Sequence, residues 1–174
     1  TDEGEELWTT DGTSGGTQMV RDITPVGSSR PTNLLRVGDT VYFQASDATH
    51  GTELWQSRGS VSSTRMVVDT LPGDGDGDGL PLAGLGRRLM FGGASAEVGY
   101  EPRIFDPATG LSRMIQDVDP GPESSFPYPV GVLGTTAVFF GTIAGESHLL
   151  GYTAAPSTTR AAAKASYSST QARK

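Results

Sequence analysis

Glu53-Leu54-Trp55-Gln56-Ser57-Arg58-Gly59 repeats an earlier stretch, Glu6-Leu7-Trp8-Thr9-Thr10-Asp11-Gly12, at an offset of 47 residues. The match extends outward from this motif. In the same register Thr17 meets Thr64, Met19-Val20 meets Met66-Val67, Asp22 meets Asp69 and Pro25 meets Pro72. A further offset of 48 carries Gly51 to Gly99, Glu53 to Glu101, Met66 to Met114, Asp69 to Asp117 and Pro72-Gly73 to Pro120-Gly121. Two more sets keep 48 twice: Gly38, Gly86 and Gly134, then Phe43, Phe91 and Phe139. Repetition at this period signals stacked supersecondary units that share a core.

Each unit reads as short strands. Val41 to Ala45 alternates, with Val41, Phe43 and Ala45 on one face, and Leu89 to Gly93 and Ala137 to Gly141 are its copies. Thr52 to Ser57 is the next strand. Thr64 to Asp69 follows, with copies at Thr17 to Ile23 and Ser112 to Val118. A weaker strand precedes each Gly38-type glycine, at Asn33 to Val37, Leu80 to Leu85 and Tyr128 to Leu133. Asp11-Gly12 and Arg58-Gly59 supply turns that need φ > 0. Four antiparallel strands per roughly 48 residues is the size of a propeller blade. The expected fold class is therefore all-β, in antiparallel four-stranded units, β-propeller-like. The expected division is a partial unit 1–31, a unit 32–79, a unit 80–127 and a partial unit 128–153. Pairing the two chain ends would make about three blades where closed rings use about four to eight, so a partial ring, or one completed by a second copy, is expected.

Composition agrees. The chain of 174 residues holds 24 Gly and 11 Pro, with 35% hydrophobic and 19% charged residues. Such punctuation disfavours long helices. No run approaches the roughly 18 apolar residues of a membrane helix. The net charge is −7, and residues 154–174 carry +4 from Arg160, Lys164, Arg173 and Lys174, which leaves −11 on the body. An acidic body repels phosphate backbones and argues against nucleic-acid partners. The Ala/Ser/Thr-rich tail 154–174 reads as disordered. Cysteine is absent, which excludes disulfides, thiol catalysis and Cys-based zinc sites. The start at Thr1-Asp2-Glu3, with no apolar leader, reads as a processed or excised chain.

Glu6-Leu7-Trp8-Thr9-Thr10-Asp11-Gly12-Thr13, followed by Gly16-Thr17 and Val20-Arg21-Asp22-Ile23, resembles the bacterial ELWxxDGT repeat. The second copy keeps Glu-Leu-Trp but has Arg58-Gly59-Ser60, the third has Glu101-Pro102-Arg103, and a fourth near Glu146 has faded. The resemblance covers residues 5 to about 145 and is strong over the first 73. It implies a propeller-like array in a large, exported, secreted or cell-surface bacterial protein. It implies no shared catalytic activity.

Four features carry candidate chemistry. Gly12-Thr13-Ser14-Gly15-Gly16 fits the G-x-S-x-G elbow, but the elbow needs a strand-to-helix turn, and a hairpin is expected here. Asp74-Gly75-Asp76-Gly77-Asp78-Gly79 resembles half of a calcium loop, with Asp74, Asp76 and Asp78 as ligands; Leu82 and Leu85 stand where closing ligands belong, so any affinity would be millimolar. An acidic inter-strand loop is the preferred reading of that run. Trp8 and Trp55 offer flat faces to a sugar ring, although their recurrence favours packing between sheets. Glu6, Glu53 and Glu101 recur, as do Asp22, Asp69 and Asp117, and catalytic acids are rarely repeated in every unit; the aspartates are expected to hold turn amides. His50 and His148 show no zinc spacing.

These residues point first to a non-enzymatic binding or scaffolding module that recognises a protein or glycan on a loop face and pairs with a second copy through terminal strands. A sugar-binding lectin using Trp8 and Trp55 is the alternative. A hydrolase centred on Ser14 or on Glu53 and Glu101 is the third. No cofactor is required beyond the calcium candidate.

Overall fold

Gly38, Gly86 and Gly134 sit at φ 62°, 65° and 62° in the computed structural model of the chain. Only a residue without Cβ adopts this conformation freely, and each glycine closes the tight turn between the first and second strands of a sheet. The structure describes residues 4–154; the tail expectation for 154–174 lies outside the described residues, Ala154 apart. Among the described residues thirteen strands follow one another: β1 (Leu7–Thr9), β2 (Gln18–Arg21), β3 (Thr32–Val37), β4 (Thr40–Asp47), β5 (Gly51–Ser57), β6 (Arg65–Val68), β7 (Leu80–Leu85), β8 (Arg88–Ser95), β9 (Gly99–Asp106), β10 (Leu111–Met114), β11 (Tyr128–Leu133), β12 (Thr136–Ile143) and β13 (Glu146–Thr153). A 3-10 turn at Val61–Ser63 is the sole helical element among the described residues.

The chain is all-β, in antiparallel sheets. Strand orders are β1-β2, β3-β4-β5-β6, β7-β8-β9-β10 and β11-β12-β13. Each follows the chain, as expected for hairpin-linked repeats, and the strand positions fall where the repeat put them. Packing divides the chain into two compact units, Thr1–Pro81 with Gly93–Ser95, and Leu82–Gly92 with Ala96–Lys174.

In the first unit, Phe43 lies directly across from Trp55, and Trp55 across from Met66. Ile23, Phe43, Ala45 and Trp55 form one buried cluster, with Leu7, Val41 and Met66 packed against it. The alternation of β4 thus puts Phe43 and Ala45 on one face, as the sequence pattern requires. In the second unit the copies Phe91 and Phe139 are equally enclosed.

β13 is the third strand of its sheet by order, and β1 occupies the same position in the repeat by its Glu-Leu-Trp motif. The ladder also corrects the fourth copy of the motif. Asp47 faces Gly51 across the β4–β5 turn, whereas Ile143 faces Glu146 across the shorter β12–β13 turn. Leu54 pairs with Gln44, and Leu149 pairs with Phe140. One residue lost in the turn therefore places His148 at the Glu53 position and Leu149 at the Leu54 position.

Phe43→Ala should cost about 3–5 kcal/mol of unfolding free energy, because a fully enclosed ring leaves a cavity. Phe140→Ala, the next residue along from a Phe43 copy but 46% exposed, should cost under about 1 kcal/mol. Urea denaturation of both variants checks the contrast; equal losses would contradict the repeat register.

Candidate functional site

Glu6, Glu53 and Glu101 are buried, and each carboxylate is saturated by the polypeptide that follows its sheet. Glu6 accepts the Ile23 amide at 3.1 Å, the Ser29 amide at 2.9 Å and the Ser29 hydroxyl at 2.5 Å. Glu101 accepts the Val118 amide, the Ser125 amide and the Ser125 hydroxyl, each at 2.8 Å. Glu53 accepts the Thr70 amide at 3.2 Å and the Gly77 amide at 2.8 Å. Gly77 has no hydroxyl, and the Thr70 hydroxyl stands in, 3.4 Å from Glu53. A Cβ at Gly77 would overlap the Glu53 carboxylate and the Thr70 hydroxyl, so serine at this position and threonine at the other exclude each other.

The neighbouring backbone repeats as well. The carbonyls of Ser29, Gly77 and Ser125 accept the amides of Ser46, Ala94 and Thr142 at 2.8, 2.8 and 2.7 Å. The amides of Glu5, Thr52 and Tyr100 donate to Ser28 Oγ, Asp76 Oδ1 and Ser124 Oγ at 2.9, 2.7 and 2.9 Å. Arg30, Asp78 and Phe126 all sit at positive φ, 47°, 57° and 45°. Non-glycine residues hold that conformation only where the surroundings impose it. Each crossover from one sheet to the next is thus pinned by a glutamate from the sheet it leaves.

This arrangement assigns the acidic run. Asp76 takes the place of Ser28 and Ser124 and caps a strand amide. Asp78 carries the positive φ, and Gln44 Nε2 donates to its carbonyl at 3.2 Å and to Oδ1 at 3.4 Å. Burial, and then the Asp76 charge, raises the Asp78 pKa. Among the described residues no three acids or histidines gather as a metal ion would need.

The remaining candidates separate in the same way. Ser14 lies in an exposed turn organised by Asp11, whose carboxylate accepts the Thr13 amide at 2.9 Å and the Thr13 hydroxyl at 2.8 Å. Those two bonds lower the Asp11 pKa. No helix follows this turn, so the elbow geometry is missing. Asp117 accepts the Gly121 amide at 3.1 Å, the role expected of the recurring aspartates. Asp47 holds the next turn type, accepting the Thr49 and His50 amides at 2.8 and 2.7 Å, with His50 Nδ1 2.8 Å from Oδ2. That contact raises the His50 pKa. His148 stands at the clamp position of the last sheet.

The two tryptophans part company. Trp55 is 5% exposed inside the first cluster and cannot offer its face to a sugar. Trp8 is 50% exposed and lines an apolar groove with Leu7, Val20, Leu34 and Val41, where Thr9 and Ser57 add hydroxyls. Among the described residues β1 pairs with β2 alone. Leu34 keeps the 48-residue offset to Leu82 and Val130, but nothing in that pattern singled it out as part of a groove. The partners of the glutamates were visible in principle, since Ser29, Gly77 and Ser125 keep the 48-residue offset. No family model matches the chain, and neither a curated protein nor a solved structure shows significant similarity to it.

Burial raises the Glu53 pKa from 4.5 to about 7 against the opposing pull of the Thr70 and Gly77 amides, with Asp69 adding a further upward push. The folded chain therefore binds more protons than the unfolded one between those values, and its stability falls as pH rises through that window. His50 acts in the same direction, so Glu53→Gln is the reference that isolates Glu53. The stability gap between wild type and Glu53→Gln should narrow as pH rises from 5 to 8 in urea titrations; a gap that widens would refute the assignment.

Proposed function

We propose that the chain is a non-enzymatic binding and scaffolding module of an exported bacterial protein, its sheets acting as propeller-like blades. The carrying observation is the contrast between Trp8 and Trp55. The same motif position is enclosed in one copy and stands half-exposed over an apolar groove in the other. A large aromatic kept at a surface is the usual anchor of a recognition site. The acids that could have served catalysis, Glu6, Glu53 and Glu101, are occupied by backbone donors. The resemblance of the first two copies to the ELWxxDGT repeat supports an exported protein. Among the described residues no helix is long and apolar enough to cross a membrane, in keeping with a surface module.

A protein partner is the first reading, because an apolar groove accepts an apolar side chain of another protein. A glycan is the second, favoured by the flat, half-exposed Trp8 ring beside Thr9. A glycan array probed with wild type, Trp8→Ala and Ser14→Ala decides between recognition and catalysis. Signal lost in Trp8→Ala and kept in Ser14→Ala supports the glycan form of the reading. Covalent labelling of Ser14 by a fluorophosphonate, or cleavage of arrayed glycans, would overturn the non-enzymatic assignment.

A further inference from the structure

Two buried carboxylate oxygens among the described residues, Asp69 Oδ1 and Asp117 Oδ1, accept no hydrogen bond. They belong to one position of the repeat, since the 48-residue offset carries the first to the second. The recurring aspartates were expected to hold turn amides, and Asp117 Oδ2 does so at Gly121. The other oxygen is left over. A buried acceptor without a donor is costly, and the same cost met twice at one repeat position asks for one kind of donor.

The clamp glutamate can supply it. Leu54 of β5 pairs with Val68 of β6, and Glu53 and Asp69 are the next residues along these two antiparallel strands. Alternation turns both to the same side of the sheet, as opposed neighbours. The repeat frame sets Glu101 and Asp117 in the same relation, where Arg103 pairs with Met114 and the Ile115 amide donates to the Pro102 carbonyl at 2.8 Å. Glu53 and Glu101 are both fully enclosed. Two ionised carboxylates side by side out of water repel each other, and one proton between them removes the conflict. Burial foremost, with the Asp69 charge behind it and the clamp amides opposing, pushes Glu53 towards its neutral form. Burial and the Asp117 charge act on Glu101 in the same direction.

The bonds at Glu53 fit a shared proton. Oε1 takes the Gly77 amide at 2.8 Å, whereas Oε2 has only the Thr70 amide at 3.2 Å and the Thr70 hydroxyl at 3.4 Å. The loosely held Oε2 is the oxygen that carries the proton. The surrounding titratable groups are engaged elsewhere. Across β4 stands Ala45. His50 feels the charges of Glu53 and Asp69, but its Nδ1 is committed to Asp47. On the crossover, Asp76 caps the Thr52 amide and Asp78 bonds Gln44. On the crossover beyond Glu101, Asp119 takes the Ala144 amide and Glu123 is exposed.

We propose that Glu53 with Asp69, and Glu101 with Asp117, each share one proton, and that this proton locks the crossover leaving each sheet. Its loss sets two charges against each other where the crossover is seated, and the crossover opens to water. An opened Glu53 regains ordinary acidity, so each opening releases a proton. The lock therefore weakens as pH rises from about 4.5 to about 7 and levels off above.

NMR of the full chain, with the Glu and Asp carboxyl carbons labelled, tests it together with amide exchange. In wild type Glu53 should titrate near 7, with the Asp69 signal responding in the same step. The protection factors of the Thr70 and Gly77 amides should fall at least about tenfold between about pH 5 and 7.5, then level off. In Asp69→Asn the carboxamide donates to Glu53 in place of the proton, so the Glu53 midpoint should drop and the pH dependence of protection should shrink. Glu53→Gln retains His50 and should hold both amides at constant protection. A Glu53 midpoint at the ordinary 4.5 in wild type, which needs no variant to fold, would overturn the proposal. So would a midpoint that Asp69→Asn leaves unmoved. A midpoint displaced by millimolar calcium would put a cation in the place of the proton and end it equally.

Discussion

A carboxylate taken out of water needs donors, and in this protein the donors are the amides of the polypeptide that leads from one sheet to the next. Glu6, Glu53 and Glu101 each collect two backbone N–H groups that lie 17 and about 24 residues further along the chain. Hydrogen bonds to a charged group are worth about 1.5–3 kcal/mol each, and a lone buried charge costs more than that. The glutamate and the crossover are therefore mutually dependent. Without the crossover the carboxylate is stranded, and without the carboxylate the crossover has no fixed path. The positive φ values at Arg30, Asp78 and Phe126 mark where that path bends.

Repetition made most of this legible in advance. Phe43, Phe91 and Phe139 announced one core position, and the Gly38 series announced one turn. The recurrence of Glu6, Glu53 and Glu101 speaks against a catalytic role, since catalytic acids are rarely repeated in every unit, but the pattern alone does not say what they hold. What the pattern concealed was the partner. Ser29 and Ser125 share a residue type, but Gly77 breaks it, and only the geometry shows Thr70 supplying the missing hydroxyl. The acidic run belongs to the same frame. Alternating Asp and Gly suggest a cation loop when read locally, whereas Asp76 and Asp78 are simply the acidic versions of Ser28 and Arg30 in the repeat frame. The tryptophans were indistinguishable by motif, since exposure depends on which strands flank β1 and β5. The shortened β12–β13 turn hid the fourth copy by one residue.

The clamp glutamate recurs at Glu6, Glu53 and Glu101, and His148 takes its place in β13. At Glu53 and Glu101 the oxygens left over on Asp69 and Asp117 bring a second acid to the same seat, so that holding the crossover also means holding a proton.

Amide hydrogen exchange followed by NMR tests the clamp most directly. The account places the slow-exchanging crossover amides at Ile23 and Ser29, Thr70 and Gly77, and Val118 and Ser125, with Glu101→Ala releasing Val118 and Ser125 first. Crossover amides that exchange in wild type as fast as those of the exposed Asp11–Gly16 turn would contradict it.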